Sequence, residues 1–208
     1  MIFRAQGLLF DLDGTLIDSL PAVDRAWSQF AAKHGFEHDF VRSRIHGRRS
    51  IDSIRELVPH VDAPTEDAWM RGLETADTEG VVALPGARAL LEVLPLDRWC
   101  VVTSGTSDVA LARLSAVGLP LPKFAVFGED VERGKPAPDP FLLGAERLGF
   151  APADCLGFED TDAGLASVRA AGVRPVAVGR PPLVDLTGVR VVVRSGEIDL
   201  EIPEGALV

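Results

Sequence analysis

The sequence predicts an α/β fold, a doubly wound parallel sheet carrying a small helical insertion after its first strand. From Pro85 onward, short apolar runs alternate with amphipathic segments of helical length, which is the grammar of strands and crossover helices in a parallel sheet. The runs are continuously apolar, as strands covered on both faces must be. Between Asp39 and Glu79 the pattern is helical, with no convincing strand. Residues 1–17 and 83–208 are therefore expected to form the sheet domain and residues 18–82 the helical one, with hinges around Asp18 and at Gly80 to Leu84.

The first strand is Gly7-Leu8-Leu9-Phe10, running into Asp11-Leu12-Asp13-Gly14. Leu20-Pro21 closes that segment. Ala22 to His34 has Val23, Ala26, Trp27 and Phe30 on one side of a helix that Gly35 ends. Ser50 to Val58 is a helix stopped before Pro59, and Thr65 to Thr78 a second one opened by Pro64. Ala87 to Leu94 is helical, and Trp99 to Thr103 is a strand. Ser107 to Val117 is an amphipathic helix ended by Gly118, and Phe124 to Phe127 a short strand. Pro140 to Leu148 is a helix, Cys155 to Phe158 a strand, Thr161 to Ala171 a helix closed by Gly172, and Arg174 to Val178 a strand. Val189 to Val193 is a candidate last strand.

The 208 residues suffice for a sizeable core. A formal charge of -10 and a pI near 4.8 argue against nucleic acid or an anionic membrane as partner, since both need a basic footprint. A small phosphorylated metabolite stays possible, because such an anion responds to a local metal ion, a lysine and backbone N–H groups. Cys100 and Cys155 adjoin apolar runs and have no metal or disulfide spacing. With no signal peptide or membrane-spanning run expected, the reading is a soluble, cytoplasmic protein, and the absence of heptads or an obvious apolar face points to a monomer.

Four stretches at predicted strand ends carry the chemistry. Asp11 and Asp13 leave the first strand one residue apart, and Gly14 allows a tight turn; alone, this is equally an acidic turn. Thr103-Ser104-Gly105-Thr106 offers a hydroxyl and backbone N–H groups suited to phosphate, and is also an ordinary helix cap. Lys135 sits between Gly134 and Pro136 in a turn rigid enough to aim its ammonium, where a solvated lysine is the other reading. Glu159 and Asp160 exceed what capping the next helix requires, since Thr161 or Asp162 can do that. Carboxylates from two strand ends meeting at one point would repel one another without a cation, and oxygen donors suit Mg²⁺.

Together, Asp11-Leu12-Asp13-Gly14-Thr15, Ser104, Lys135 and Glu159-Asp160 resemble the four ordered motifs of the haloacid dehalogenase-like hydrolase superfamily. The resemblance covers the whole chain. The helical insertion is similar to the small cap of its phosphoglucomutase-like branch, and Asp18 to Val23 with Ile45 to Asp52 resembles bacterial sugar and glycerol phosphatases. It implies Asp11 as the nucleophile that forms an aspartyl-phosphate and binds Mg²⁺. Asp13 is implied as general acid and base, with its backbone carbonyl on the metal. Ser104, Gly105 and Lys135 would hold the phosphoryl group, and Glu159 and Asp160 would complete the metal site. Asp13 argues against halide chemistry, and Thr15 and Val23 against a β-phosphoglucomutase, which has a histidine where Val23 stands. A phosphatase of sugar or polyol phosphates is the expectation; the alternatives are a phosphomutase and a catalytically silent binding protein. Ser19, His46, Arg48 and Arg49 are the candidate substrate-selecting residues, with a solvated helix start as the other reading of the arginines. His34, His38 and His60 are expected at the surface, and Trp27, Trp69 and Trp99 in packing roles.

Overall fold

The computed structural model describes residues 2–179, 190–194 and 197–201. Strands β1 (Ile2–Ala5) and β2 (Gly7–Phe10) open the chain, followed by the two-residue β3 (Ile17–Asp18). Helices α1 (Leu20–His34), α2 (His38–Ile45), α3 (Ser50–Leu57) and α4 (Ala63–Ala76) form the insertion, and β4 (Val82–Ala83) returns the chain. Then come α5 (Ala87–Val93), β5 (Trp99–Val102), α6 (Ser107–Val117), β6 (Phe124–Val126) and α7 (Asp139–Leu148). The chain continues through β7 (Cys155–Glu159), α8 (Asp162–Ala170), β8 (Arg174–Ala177), β9 (Arg190–Arg194) and β10 (Glu197–Glu201).

The central sheet has five parallel strands in the order β6-β5-β2-β7-β8. Alternation along β2 sends Leu8 and Phe10 to one face and Leu9 to the other. On the first face they meet Leu90 and Leu91 of α5 and Leu114 of α6; on the second, Leu9 joins Phe141 of α7 and Val168 of α8. Phe10 stacks on Phe158 of the adjacent strand with ring centroids 4.6 Å apart, a pairing that adds to the burial of both rings. The insertion has its own core, in which Trp27, Phe30, Val41, Ile54 and Met70 are buried together.

Several local expectations change in three dimensions. Pro21 starts α1 rather than ending a segment, because a proline in the first helical turn gives up only an N–H that has no partner there. Pro64 does the same in α4, whose N-cap Asp62 accepts from the Thr65 amide. Strand β9 does not extend the parallel sheet: it pairs antiparallel with β10, which pairs antiparallel with β1. Val189, the first residue of the strand expected there, lies outside the described residues. At the expected hinges, Ile17 pairs with Ala83 and Asp18 with Val82, so the two crossings between sheet and insertion form one short antiparallel ribbon. His34 is half-buried rather than exposed; its ring bonds Glu66 at 2.8 Å, as Lys33 does at 2.7 Å.

Candidate active site

From β2 the chain first builds outward through β5 to β6, then crosses to the other side through β7 to β8. The reversal puts the carboxyl end of β2 at the topological switch point, where open α/β sheets bind their ligands. Asp11 stands there, tied by its amide to the Phe158 carbonyl of β7 at 3.0 Å.

Lys135 reaches the same point from beyond β6. Its ammonium donates to Asp11 Oδ1 at 2.6 Å, to Glu159 Oε1 at 2.7 Å and to the Val102 carbonyl at 2.9 Å. Three acceptors use all three protons of a lysine that is only 3% exposed. Glu159, at the end of β7 and fully buried, accepts at Oε2 from the amide and hydroxyl of Thr161. Asp11 Oδ2 has no hydrogen bond among the described residues. One ligand atom from each of Asp11, Glu159 and Asp160 lies within 4.8 Å of the others. The Asp13 side chain is not in this group.

Burial pushes the Asp11 carboxyl well above the ordinary aspartate value; Lys135 pulls it down, and Glu159 and Asp160 push it further up. Asp160 is pushed up to about 7, by burial first and then by Glu159. Burial alone would lower the Lys135 ammonium, but Asp11 and Glu159 beside it hold it above the ordinary lysine value. One ammonium therefore faces three crowded carboxyls, and the donor set is all oxygen. A hard divalent cation fits that set and would relieve the repulsion.

Two glycines make room for these acids. Gly14 has φ of +92°, and a Cβ there would lie 2.2 Å from Asp160 Oδ2. Gly164, in the first turn of α8, donates its amide to the capping hydroxyl of Thr161, and a Cβ would lie 1.8 Å from the Glu159 carboxylate. In an ordinary helix Gly→Ala stabilises by up to ~1 kcal/mol. Here the carboxylate cannot yield without leaving Lys135 and Thr161, so Gly164→Ala is expected to destabilise by ~1–3 kcal/mol, read from urea denaturation midpoints; a gain in stability would contradict this geometry.

The second aspartate is held differently. Asp13 Oδ1 accepts from Ser19 Oγ at 2.6 Å and from Arg113 Nη1 at 2.9 Å. Ser19 occupies the N-cap position of α1 without capping it; its hydroxyl serves Asp13 instead. Arg113, on α6, was not expected. It is 3% exposed and also reaches Glu74 Oε1 of α4 at 3.4 Å, linking sheet and insertion. The available signal was its place on the buried stripe Val109, Ala110, Leu114.

The insertion closes over the sheet. Ser104 Oγ donates to the Gly47 carbonyl at 3.0 Å, and the Gly105 amide turns back to Thr103 Oγ1 at 3.0 Å. The Gly105 N–H is thus already donated within its own loop, where the sequence left it open for phosphate. A cavity of about 300 Å³ lies between insertion and sheet, and Asp11, Asp13, Ser19, Ser104, His46 and Arg48 all face it. Arg49 does not. It grips Asp52 and donates to the carbonyls of Val131 at 2.8 Å, Glu132 at 3.0 Å and Gly128 at 3.3 Å, a clasp from α3 to the loop leading to Lys135. Arg48 pairs with Glu56 at 2.7 Å at the cavity edge. The sequence could not distinguish these neighbours, since both read as cations at a helix start.

A parallel sheet with acids, a hydroxyl and a lysine gathered at its switch point beneath a helical lid defines a capped α/β hydrolase. Residues 5–172 match the haloacid dehalogenase-like hydrolase family, and the chain belongs to it. It is 48% identical over 183 residues to hexitol phosphatase A of Escherichia coli (strain K12), covering 86% of this chain and 85% of that one. It is 34% identical over 190 residues to glycerol-1-phosphate phosphohydrolase 2 of Saccharomyces cerevisiae, covering 84% and 75%. A crystal structure of a hydrolase from Pseudomonas syringae superposes with a TM-score of 0.73 at 29% identity, covering 83% of this chain and 84% of that one.

Proposed function

We propose that this chain is a Mg²⁺-dependent phosphatase of sugar or polyol phosphates, acting through an aspartyl-phosphate on Asp11. The observation that carries the reading is the state of Asp11: Oδ1 is fixed by a buried lysine and Oδ2 is unengaged, in a wall of a cavity covered by the insertion. Oδ2 forms a bond to phosphorus as the bond to the alcohol oxygen breaks, and Asp13 gives that oxygen its proton. Water then attacks phosphorus and returns a proton to Asp13, which frees phosphate and restores the Asp11 carboxylate. Ser104 exchanges its bond to Gly47 for a phosphoryl oxygen. Asp11, Asp160 and the Asp13 carbonyl would hold the cation, with Glu159 behind them; when bound, it neutralises charge on the phosphoryl oxygens. Relatives named for hexitol and glycerol phosphates support the substrate class.

The division into a core (1–17 and 83–208) and a cap (18–82) is part of this reading, supported by the β3–β4 ribbon at its boundary. The chain is taken as a cytoplasmic monomer. In support, both cysteines are buried and unpaired, and exposed large apolar side chains such as Phe40, Val93 and Leu142 sit on separate elements. Among the described residues no helix is long and apolar enough to cross a membrane.

Phosphate release from hexitol and glycerol phosphates is expected with Mg²⁺ and is expected to cease with chelator. Failure to hydrolyse any phosphomonoester of a broad panel sinks the proposal. A second readout is stability. Carboxyls raised in the folded state resist ionisation there, so the metal-free cluster binds extra protons when folded and its contribution to stability falls as pH rises from about 4 through about 7. His46, lowered by burial, works in the opposite direction. Mg²⁺ favours the ionised cluster and should stabilise the fold most at the alkaline end, by ~3 kcal/mol at a hundredfold excess over Kd. Melting curves at pH 5 and pH 8, with and without chelator, check the sign.

A further inference from the structure

One wall of the cavity beside Asp13 is acidic and takes no part in the chemistry at Asp11. Glu74, on α4, faces the cavity. Its Oε1 accepts from Arg113 Nη2, and its Oε2 has no hydrogen bond among the described residues. The other terminal nitrogen of the same guanidinium holds Asp13, so the two carboxylates stand side by side. The insertion delivers Glu74, but a buried residue of the sheet domain sets its place. Two carboxylates share one guanidinium, so the wall is net negative while Asp13 is ionised and gains no net positive charge when Asp13 holds its proton. Arg42, Arg48 and, on the same helix as Glu74, Arg71 also line the cavity, and each is matched by an acid outside it: Asp24, Glu56 and, at 3.9 Å, Asp108. Val23, Trp27 and Ile45 line the same cavity and supply apolar surface.

An alcohol whose departing oxygen sits at Asp13 extends its next carbons past Glu74. There an unengaged carboxylate oxygen accepts from hydroxyl groups and repels an anion. We propose that Glu74 is a specificity-determining residue, held by Arg113, that selects phosphomonoesters of neutral polyols and excludes those whose alcohol carries a carboxylate or a second phosphate. This deepens the phosphatase reading and rests on it.

Steady-state kinetics of wild type, Glu74→Ala and Glu74→Gln decide it, using a hexitol monophosphate, p-nitrophenyl phosphate and phosphoglycolate. Glu74→Ala removes the acceptor, and the kcat/KM ratio of hexitol phosphate to p-nitrophenyl phosphate is expected to fall roughly tenfold, mainly through KM. Glu74→Gln keeps an acceptor oxygen but removes the charge, and the ratio of phosphoglycolate to hexitol phosphate is expected to rise roughly tenfold. If the variants lose activity on all three substrates in equal proportion, or keep the wild-type ratios, Glu74 is structural and the inference is overturned while the phosphatase reading stands. A wild-type chain inert toward all phosphomonoesters overturns both.

Discussion

Asp11→Asn is expected to reduce phosphate release by ~10⁴-fold or more, the scale on which loss of a catalytic nucleophile is felt. The amide is nearly isosteric and can still accept from Lys135 at the position of Oδ1, so the fold should persist. What disappears is the anionic oxygen facing the cavity. The same substitution removes one of the three carboxylates grouped at the site, so the Mg²⁺-dependent rise in melting temperature should shrink without vanishing, because Asp160 and Glu159 remain. Acid-quenched wild-type enzyme should carry phosphate on Asp11 and the variant none. A variant with more than about a tenth of wild-type turnover would exclude the covalent route, since general acid–base catalysis alone would then account for the rate.

Lys135→Met should be the most destabilising single change at the site. The lysine is buried between Asp11 and Glu159, and both carboxylates lose their counter-charge when it goes. Breaking a buried pair by removing one partner costs ~3–5 kcal/mol, because the charge left behind is uncompensated. Methionine fills the volume of the stem, which isolates the electrostatic part. In chelator the melting temperature should fall by roughly 10 °C. Mg²⁺ should recover more stability in this variant than in wild type, since the cation becomes the only neutralising charge at the cluster. A loss below about 1 kcal/mol would mean that the carboxyls simply protonate, as their raised pKa values permit.

Much of the architecture is legible in the sequence because its signals are local. Alternating apolar runs and helical stripes specify strands and crossovers within a few residues of themselves. Each strand-end motif also lies on contiguous positions, as Asp11-x-Asp13-Gly14 and Glu159-Asp160 show. The short ribbon of β3 and β4 and the antiparallel pairing of β1 with β10 leave no sequence signal, because two to five residues carry too little periodicity to stand apart from a loop.

The class of fold, the helical insertion and the order of acids, hydroxyl and lysine along the chain follow from local sequence pattern. Which charged groups meet was decided only by tertiary structure. Arg113 finds Asp13 a hundred positions away, and Glu74 joins them from the insertion. Arg48 and Arg49, adjacent in sequence, part company, one to the cavity edge and the other to a clasp on three carbonyls. A charged residue on a helix reads as solvated unless its partner is known, and the partner is set by how insertion and sheet pack. Long-range ion pairs leave no local periodicity behind them.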